Sequence, residues 1–142
     1  MTRDEIQALF DRRADAWRRR DVDALAASHA EHGVVVSPMF TTVTGRDHIT
    51  DAYRSLFRAF PDWEYKGEAL LVDGVRVAQP FTVEATHAGE FMGLVGSGRR
   101  FTIQGVLLFA VGDGLIQTER RIYDFTGLLI QLGVLKSRPA KA

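Results

Sequence analysis

The chain has 142 residues, of which 18 are basic, 18 are acidic and none is cysteine. A chain of this length is typical of a single domain, here residues 1–142, with a core large enough to fold alone. The zero net charge argues against a nucleic-acid-binding protein that relies on an overall positive field. The lack of cysteine excludes disulfides, thiolate metal sites and cysteine nucleophiles.

The N-terminal segment lacks the apolar core of a signal peptide. No apolar run approaches the roughly 18–20 residues that are needed to cross a bilayer. We therefore expect a soluble, cytoplasmic protein. Zero net charge gives little protection against self-association, and the apolar segment 128–135 needs cover, so a homodimer is also expected.

Helical periodicity dominates the first 60 residues. One helix is predicted over residues 3–20. A second short helix is capped by Asp21 and carries an apolar stripe that ends at His29. Residues 34–40 are predicted to form a strand that Pro38 ends or bends. A third helix opens at Gly45 and is stopped by the Pro-Asp pair at 61–62.

After residue 62 the period changes to that of strands. Residues 63–72 and 75–87 flank one Asp-Gly turn, and residues 99–111 and 115–124 flank another. The glycine-rich segment 89–98 connects the two hairpins, and the polar tail after Lys136 is expected to fray. The predicted fold is α+β: a cone-shaped, curved antiparallel sheet with three N-terminal helices packed on its concave face. The mouth of such a cone is a natural hydrophobic pocket for a small molecule.

Asp124 stands at the end of the last predicted strand, beside a Leu-rich turn. An ionised carboxylate next to so much apolar surface is costly unless it is paired, hydrogen-bonded or protonated. Three interpretations remain open. It can pair with Arg120 two residues earlier, cap the turn that begins at Thr126, or act as a general acid/base whose pKa is raised by an apolar cavity.

Strand phase gives a rough map of the other candidates. In the last strand, one face carries Arg120 and Asp124 and the other carries Glu119, Arg121 and Tyr123. Periodicity does not decide which of these faces lines the cavity. In 75–87, His87 is in register with apolar residues, which fits either a buried structural histidine or a pocket histidine that binds a substrate oxygen.

The remaining ionisable clusters predict no separate site. The arginine pair at 12–13 and the arginine triplet at 18–20 lie among aspartates, as on a solvated helix face with i,i+4 pairs. His29 and His32 have a metal-like spacing, but no third ligand lies close in sequence, so no metal site is predicted.

Three motifs resemble the SnoaL-like polyketide cyclase (ester cyclase) family. They are THAGEFMG at 86–93 followed by GRRF at 98–101, GRD at 45–47 followed by FPD at 60–62, and YD at 123–124 followed by GLL at 127–129 and QLG at 131–133. The resemblance runs from about residue 5 to 135 in the right order. It implies the nuclear-transport-factor-2-like, ketosteroid-isomerase-like cone fold.

The resemblance also implies an activity, that of a lyase or isomerase that closes a ring in a polyketide ester by intramolecular aldol addition. It implies no metal or organic cofactor, and it gives Asp124 the role of general acid/base. Strand phase, rather than the family, suggests that His87, Gln104 and Arg120 bind carbonyl oxygens. An apolar wall for a flat substrate is predicted from a further set: Trp17, Met39, Phe40, Tyr53, Phe57 and Phe91.

Two other functions fit the same fold. One is a non-catalytic module that binds a small hydrophobic molecule or mediates dimerisation. The other is an epoxide hydrolase-like enzyme, which needs two carboxylates that share a water, with an arginine between them. Asp124 and Arg120 could supply two of those three groups, and no second acid in phase is evident.

Overall fold

A computed structural model describes residues 1–136, so the polar tail predicted after Lys136 lies outside the described residues. The helices are α1 (Arg3–Arg19), α2 (Val22–Ala27), α3 (Arg46–Ala59) and α4 (Phe125–Gln131). The strands are β1 (His29–Ser37), β2 (Thr41–Thr44), β3 (Glu64–Gly67), β4 (Leu71–Asp73), β5 (Arg76–Thr86), β6 (Arg100–Gly112) and β7 (Leu115–Tyr123). No helix in this part of the chain is both long enough and apolar enough to span a membrane.

The strands form one curved, unclosed sheet in the order β2-β1-β7-β6-β5-β3, with β4 paired to β5. The predicted α+β architecture is confirmed. The prediction of a wholly antiparallel sheet is wrong at one pair, because β1 runs parallel to β7. The chain reaches β7 only after β2, α3 and β3–β6, so no tight hairpin sets the direction of the β1–β7 pair.

Capping and an apolar stripe explain α1. Thr2 and Glu5 form a capping box, in which the backbone N–H of Glu5 donates to the Thr2 hydroxyl over 3.1 Å. Ile6, Leu9 and Trp17 are buried. They join residues of α3 and of the sheet in one hydrophobic core.

The second helix and the first strand differ from the prediction. Helix α2 is capped by Asp21 as expected, but it ends at Ala27, and His29 begins β1. Strand β1 ends at Ser37, directly before Pro38, as one of the two predicted outcomes for that proline requires, but residues 38–40 form a turn into β2 rather than the end of the strand. The Ser37 hydroxyl accepts the Phe40 N–H over 3.0 Å in that turn, which brings Met39 back toward the core.

The predicted strand 63–72 is interrupted between β3 and β4. The partner strand β5 carries Pro80 at this point, and proline has no N–H to donate. The Gln79 side chain fills the space above Gly67, where an added Cβ would lie 2.4 Å from Gln79 Nε2. The break leaves β3 paired only to the end of β5 near the cavity.

Residues 125–131 form a helix rather than the predicted turn. Leu128 and Leu132 pack into the core, whereas Ile130, Val134 and Leu135 stay exposed. The sheet of the same chain therefore covers only part of the apolar segment 128–135.

Candidate active site

A narrow cavity lies between the helices and the concave face of the sheet. About 380 Å³ is free of protein atoms, part of it open to solvent, and about 30 Å³ of this admits a water-sized sphere. That is room for one or two waters, so a larger ligand must displace side chains. The lining residues are Trp17, Ser37, Met39, Leu56, Trp63, Tyr65, Phe81, Val83, Ile103, Leu107, Arg121 and Tyr123.

Three aromatic rings form a stacked wall on one side of the cavity. The Trp17 and Tyr65 ring centroids are 4.9 Å apart with an angle of 18° between the planes. Tyr65 and Phe81 follow at 5.6 Å and 20°, and the Tyr65 hydroxyl donates to Gln79 Oε1 over 2.7 Å. Stacked rings held in this way present a flat apolar surface, which favours a planar ligand.

Arg121 is the charged residue of the cavity wall. Its Nε donates to Glu119 Oε2 over 2.5 Å, and its guanidinium carbon lies 5.4 Å from the centre of the Tyr53 ring. Its side chain is 13% exposed. Within residues 1–136, its terminal nitrogens make no hydrogen bond to protein, so they are available to a ligand.

Glu119 holds Arg121 in place and is the centre of a buried cluster of charged residues. Its other oxygen, Oε1, accepts from Arg13 Nη2 over 3.2 Å, and Arg13 Nη1 donates to the Ser28 hydroxyl over 2.7 Å. Burial would raise the pKa of Glu119, but the charges of Arg121 and Arg13 outweigh it and lower the pKa to about 2. Glu119 is thus an ionised anchor and a poor proton acceptor.

His29 completes the cluster as a neutral ring. Its Nε2 lies 2.9 Å from the Tyr53 hydroxyl and 3.4 Å from Arg13 Nη1. Burial, and then the charge of Arg13, lower the pKa of His29 to about 3. The 3.7 Å approach of Nε2 to Glu119 is therefore not an ion pair at neutral pH, because burial and the Arg13 charge outweigh the attraction of one carboxylate.

The depressed pKa of His29 predicts loss of stability in acid. Between about pH 6.5 and pH 3, His29 is protonated in the unfolded chain but stays neutral in the folded chain. Between pH 6.5 and 4.5, we expect the free energy of unfolding in urea to fall by about 2 kcal/mol. His29→Gln should flatten this slope, whereas His48→Gln, at an exposed position, should keep it. An unchanged slope in His29→Gln would contradict the assignment.

The predicted wall residues divide among three places. Trp17 and Met39 line the cavity. Tyr53 lies buried beneath Arg121, and the Phe57 ring meets the edge of Trp17 at 6.0 Å. Phe40 and Phe91 line a separate surface groove of about 350 Å³. Met39 and Leu56 line both spaces, so they form the partition between the groove and the cavity.

The three residues suggested for carbonyl binding do not line the cavity. His87 is buried near Phe60 and Phe91, and its Nδ1 lies 3.0 Å from the Ser97 hydroxyl. Gln104 is exposed on β6. Arg120 lines a concavity on the outer face of the sheet.

Asp124 is exposed and caps α4. Its Oδ1 accepts the Gly127 N–H over 2.8 Å, which is the capping arrangement left open by the sequence. Among residues 1–136, no ion pair or hydrogen bond joins Asp124 to Arg120. The carboxylate does not line the cavity as the structure stands.

Sequence reasoning missed the cluster of Arg13, Glu119 and Arg121. Arg13 was expected on a solvated helix face, and this is wrong because it is buried. A signal was present, since position 13 continues the stripe of Ile6, Leu9 and Trp17 at helical spacing. The metal-like pair also separates, because His29 is buried in the cluster and His32 is exposed.

Comparison with known families decides the assignment. The model of the SnoaL-like polyketide cyclase family matches residues 7–132. The chain belongs to this family. Among curated proteins, a sequence search found no match.

Solved structures share the fold over 90–97% of the chain. AclR, a proposed hydroxylase from Streptomyces galilaeus, is 28% identical with a TM-score of 0.82, covering 97% of this chain and 87% of its own. IdmH, a proposed polyketide cyclase from Streptomyces antibioticus, is 25% identical with a TM-score of 0.73, covering 90% and 98%. TsrD from Streptomyces laurentii shares the fold at 24% identity and a TM-score of 0.82, covering 95% and 99%.

Proposed function

We propose that this SnoaL-like protein is a cofactor-free enzyme that transfers a proton on a small hydrophobic carbonyl compound and closes a ring by aldol addition. One observation carries the proposal: a guanidinium whose terminal N–H groups have no partner within residues 1–136 lies in a cavity walled by stacked aromatic rings. The rings suit a planar conjugated ligand, and the guanidinium suits a carbonyl oxygen.

The proposed reaction needs little from the protein beyond positioning and charge. A base removes a proton from the carbon between two carbonyls, and the enolate carbon attacks a second carbonyl. A carbon–carbon bond forms, and the alkoxide oxygen takes up a proton. Arg121 would donate N–H groups to the carbonyl oxygen at which negative charge develops, and the aromatic walls would hold the chain of the substrate folded.

Asp124 is the proposed base, on the strength of its place in the family's C-terminal motif. It follows directly after Tyr123, which lines the cavity. To reach a ligand, its carboxylate would have to leave the Gly127 N–H. Glu119 is the poorer candidate, because the two arginines beside it lower its pKa and so make it a weak base.

Substitutions at Asp124 distinguish its proposed role as a catalytic base from its role as a helix cap. Asparagine caps helices as well as aspartate does, whereas alanine removes the cap at a cost of about 1 kcal/mol. If Asp124 is the base, Asp124→Asn should slow deuterium uptake at the carbon between the carbonyls of an aryl β-keto ester by about 10²-fold or more, with unchanged stability. NMR would follow the exchange above the buffer background. Full activity in Asp124→Asn would contradict the role.

The capped state of Asp124 favours a second candidate function. The Asp124 carboxylate accepts a backbone N–H, and the part of the cavity lining that belongs to residues 1–136 contains no acid. This arrangement fits a module that binds a small hydrophobic carbonyl compound without turning it over. In that case the aryl β-keto ester would quench the tryptophan fluorescence of the protein, yet the wild-type protein would not accelerate deuterium exchange in the ester. An epoxide hydrolase-like site has less support, since it needs two carboxylates at the cavity.

We also propose that the outer face of the sheet pairs with a second copy of the chain. Leu71, Leu108 and Ile122 are exposed there. The same concavity carries both Asp73 and Arg120. In a two-fold symmetric dimer, Asp73 of each copy can therefore face Arg120 of the other, around an apolar centre. Sedimentation should give a dimer for the wild type and a monomer for Leu108→Asp, and a monomeric wild type would contradict the interface.

A further inference from the structure

The segment between β5 and β6, residues 88–98, is folded back on the end of α3. Its first two residues both donate their backbone N–H to the Ala59 carbonyl over 3.0 Å. The Gly98 N–H donates to the His87 carbonyl over 2.8 Å, which closes this loop at its base. At the tip, Met92 has a φ of 51°, a left-handed conformation that is costly for a residue with a side chain. The closed loop therefore depends on contacts that offset this strain.

Two side-chain contacts hold loop 88–98 closed. Phe91 is 4% exposed, and its ring centroid lies 5.2 Å from that of Phe60. His87, directly before the loop, is 2% exposed. Its Nδ1 lies 3.0 Å from the Ser97 hydroxyl, and the Ser97 N–H donates to the same nitrogen over 3.3 Å. The first contact is apolar and independent of pH, whereas the second requires a histidine nitrogen that can accept.

The contacts of His87 define the protonation state of its ring. Nδ1 accepts a backbone N–H, so the neutral ring carries its proton on Nε2. Nε2 is buried and makes no hydrogen bond within residues 1–136. The rings of Phe60 and Phe91 lie beside it, with centroids at 5.9 and 6.1 Å. A proton on Nδ1 would remove both hydrogen bonds from Ser97 and place a cation in apolar surroundings, which is costly.

The charged groups around His87 do not offset that cost. On the elements that pack against it, these groups are Arg58 and Asp62 around the end of α3, Glu90 in the loop, and Arg99 and Arg100 where β6 begins. Asp62 is already engaged, because its oxygens accept the N–H and the hydroxyl of Thr86 over 2.7 Å each and pair with Arg100. In the described part of the chain, no salt bridge joins His87 to either acid. Three of the five charges are positive, so they disfavour an imidazolium.

We propose that His87 is a pH-sensitive latch on loop 88–98. With the ring neutral, Nδ1 holds Ser97 and the loop stays closed over Phe60. When the ring takes up a proton, Ser97 is released, the ring turns toward solvent, and the loop moves away from α3 together with Phe91. Phe91 lines the surface groove of about 350 Å³, so acid would remove one wall of that groove. This latch goes beyond the proposed reaction and does not depend on it.

Hydrogen–deuterium exchange of the full-length protein, followed by mass spectrometry, tests the latch at about pH 7.5 and about pH 5.5, a range in which histidine titrates. The open loop binds a proton that the closed loop excludes, so its opening constant should rise by about tenfold or more over this range. Peptides that cover the loop measure this rise after correction for the intrinsic effect of pH on exchange. Peptides from β6 should stay better protected than the loop at both pH values, because the loop opens without the sheet.

Two glutamine variants separate His87 from other titrating groups. His87→Gln cannot titrate and keeps an acceptor for the Ser97 N–H, so protection of the loop should no longer depend on pH. His48→Gln, at an exposed position of α3, should keep the wild-type dependence. An undiminished pH dependence in folded His87→Gln would overturn the latch.

The wild-type protein decides the proposal even if His87→Gln fails to fold. Equal loop protection at the two pH values would overturn it. Exchange of the loop and β6 at one common rate in acid would also overturn it, because the whole domain would then be opening. A loss of protection confined to the loop would support it.

Discussion

Glu119→Gln should lower the free energy of unfolding by about 3–5 kcal/mol, because it leaves the charges of Arg13 and Arg121 buried without a counter-ion. Both oxygens of Glu119 accept from guanidinium groups, and its side chain is fully buried. The amide of glutamine keeps the shape of the side chain and removes its charge. The loss therefore measures electrostatics rather than packing.

Urea unfolding at pH 7 checks this prediction, with Glu84→Gln as the matched control. Glu84 also pairs with an arginine, but at the surface, where its side chain is 42% exposed. Such pairs contribute less than about 1 kcal/mol. Equal, small losses in the two variants would show that the Glu119 cluster is not a buried ionic anchor.

Arg121→Gln should slow protein-dependent deuterium exchange in an aryl β-keto ester by about 10²-fold. Removal of one donor to a developing oxyanion typically costs 10²- to 10³-fold in rate, and Arg121 is the cation that lines the cavity. Arg121→Lys keeps the charge but loses the planar fork, so it should retain part of the rate.

Arg54→Gln serves as the control for that loss. Arg54 lies on α3 with its side chain 54% exposed, and it is not among the cavity-lining residues of the described part of the chain. Its exchange rate should match the wild type, and circular dichroism should show that all three variants are folded. A full rate in folded Arg121→Gln would place the reactive site outside this cavity.

Local patterns predicted most of the fold. The capping residues, the helical stripes and the two Asp-Gly turns depend on neighbours in sequence, and they located α1, α3 and the β5–β6–β7 meander. The pairing of β1 with β7 joins residues that are far apart in sequence, and no turn residue records it. The interruption between β3 and β4 depends on Pro80 and Gln79 of the partner strand, which periodicity within 63–72 does not reveal.

The candidate site was harder to predict than the fold, for a physical reason. Strand phase separated Arg120 and Asp124 from Glu119 and Arg121, but both sets mix charged and apolar residues. The choice between the two faces depends on Arg13, which lies 106 positions before Glu119 in the chain and supplies the counter-charge that makes a buried carboxylate tolerable. A pair at that separation leaves no local pattern.

The resemblance to the family gives Asp124 the role of general acid/base, and this role stays a prediction. The carboxylate of Asp124 has a sufficient structural explanation in the Gly127 N–H that it accepts. A family motif at the start of α4 therefore accounts for the helix, and any catalytic part played by Asp124 requires a second position of its side chain.

A crystal structure of the protein with bound benzoylacetone tests the central claim most directly. The cavity must open around the ligand, because in this state only about 30 Å³ admits a water-sized sphere. We expect the phenyl ring to pack on Trp17 and Tyr65, with an oxygen within hydrogen-bond distance of a terminal nitrogen of Arg121. A ligand seated in the surface groove at Phe40 and Phe91, with the aromatic cavity closed and Arg121 unbound, would contradict it.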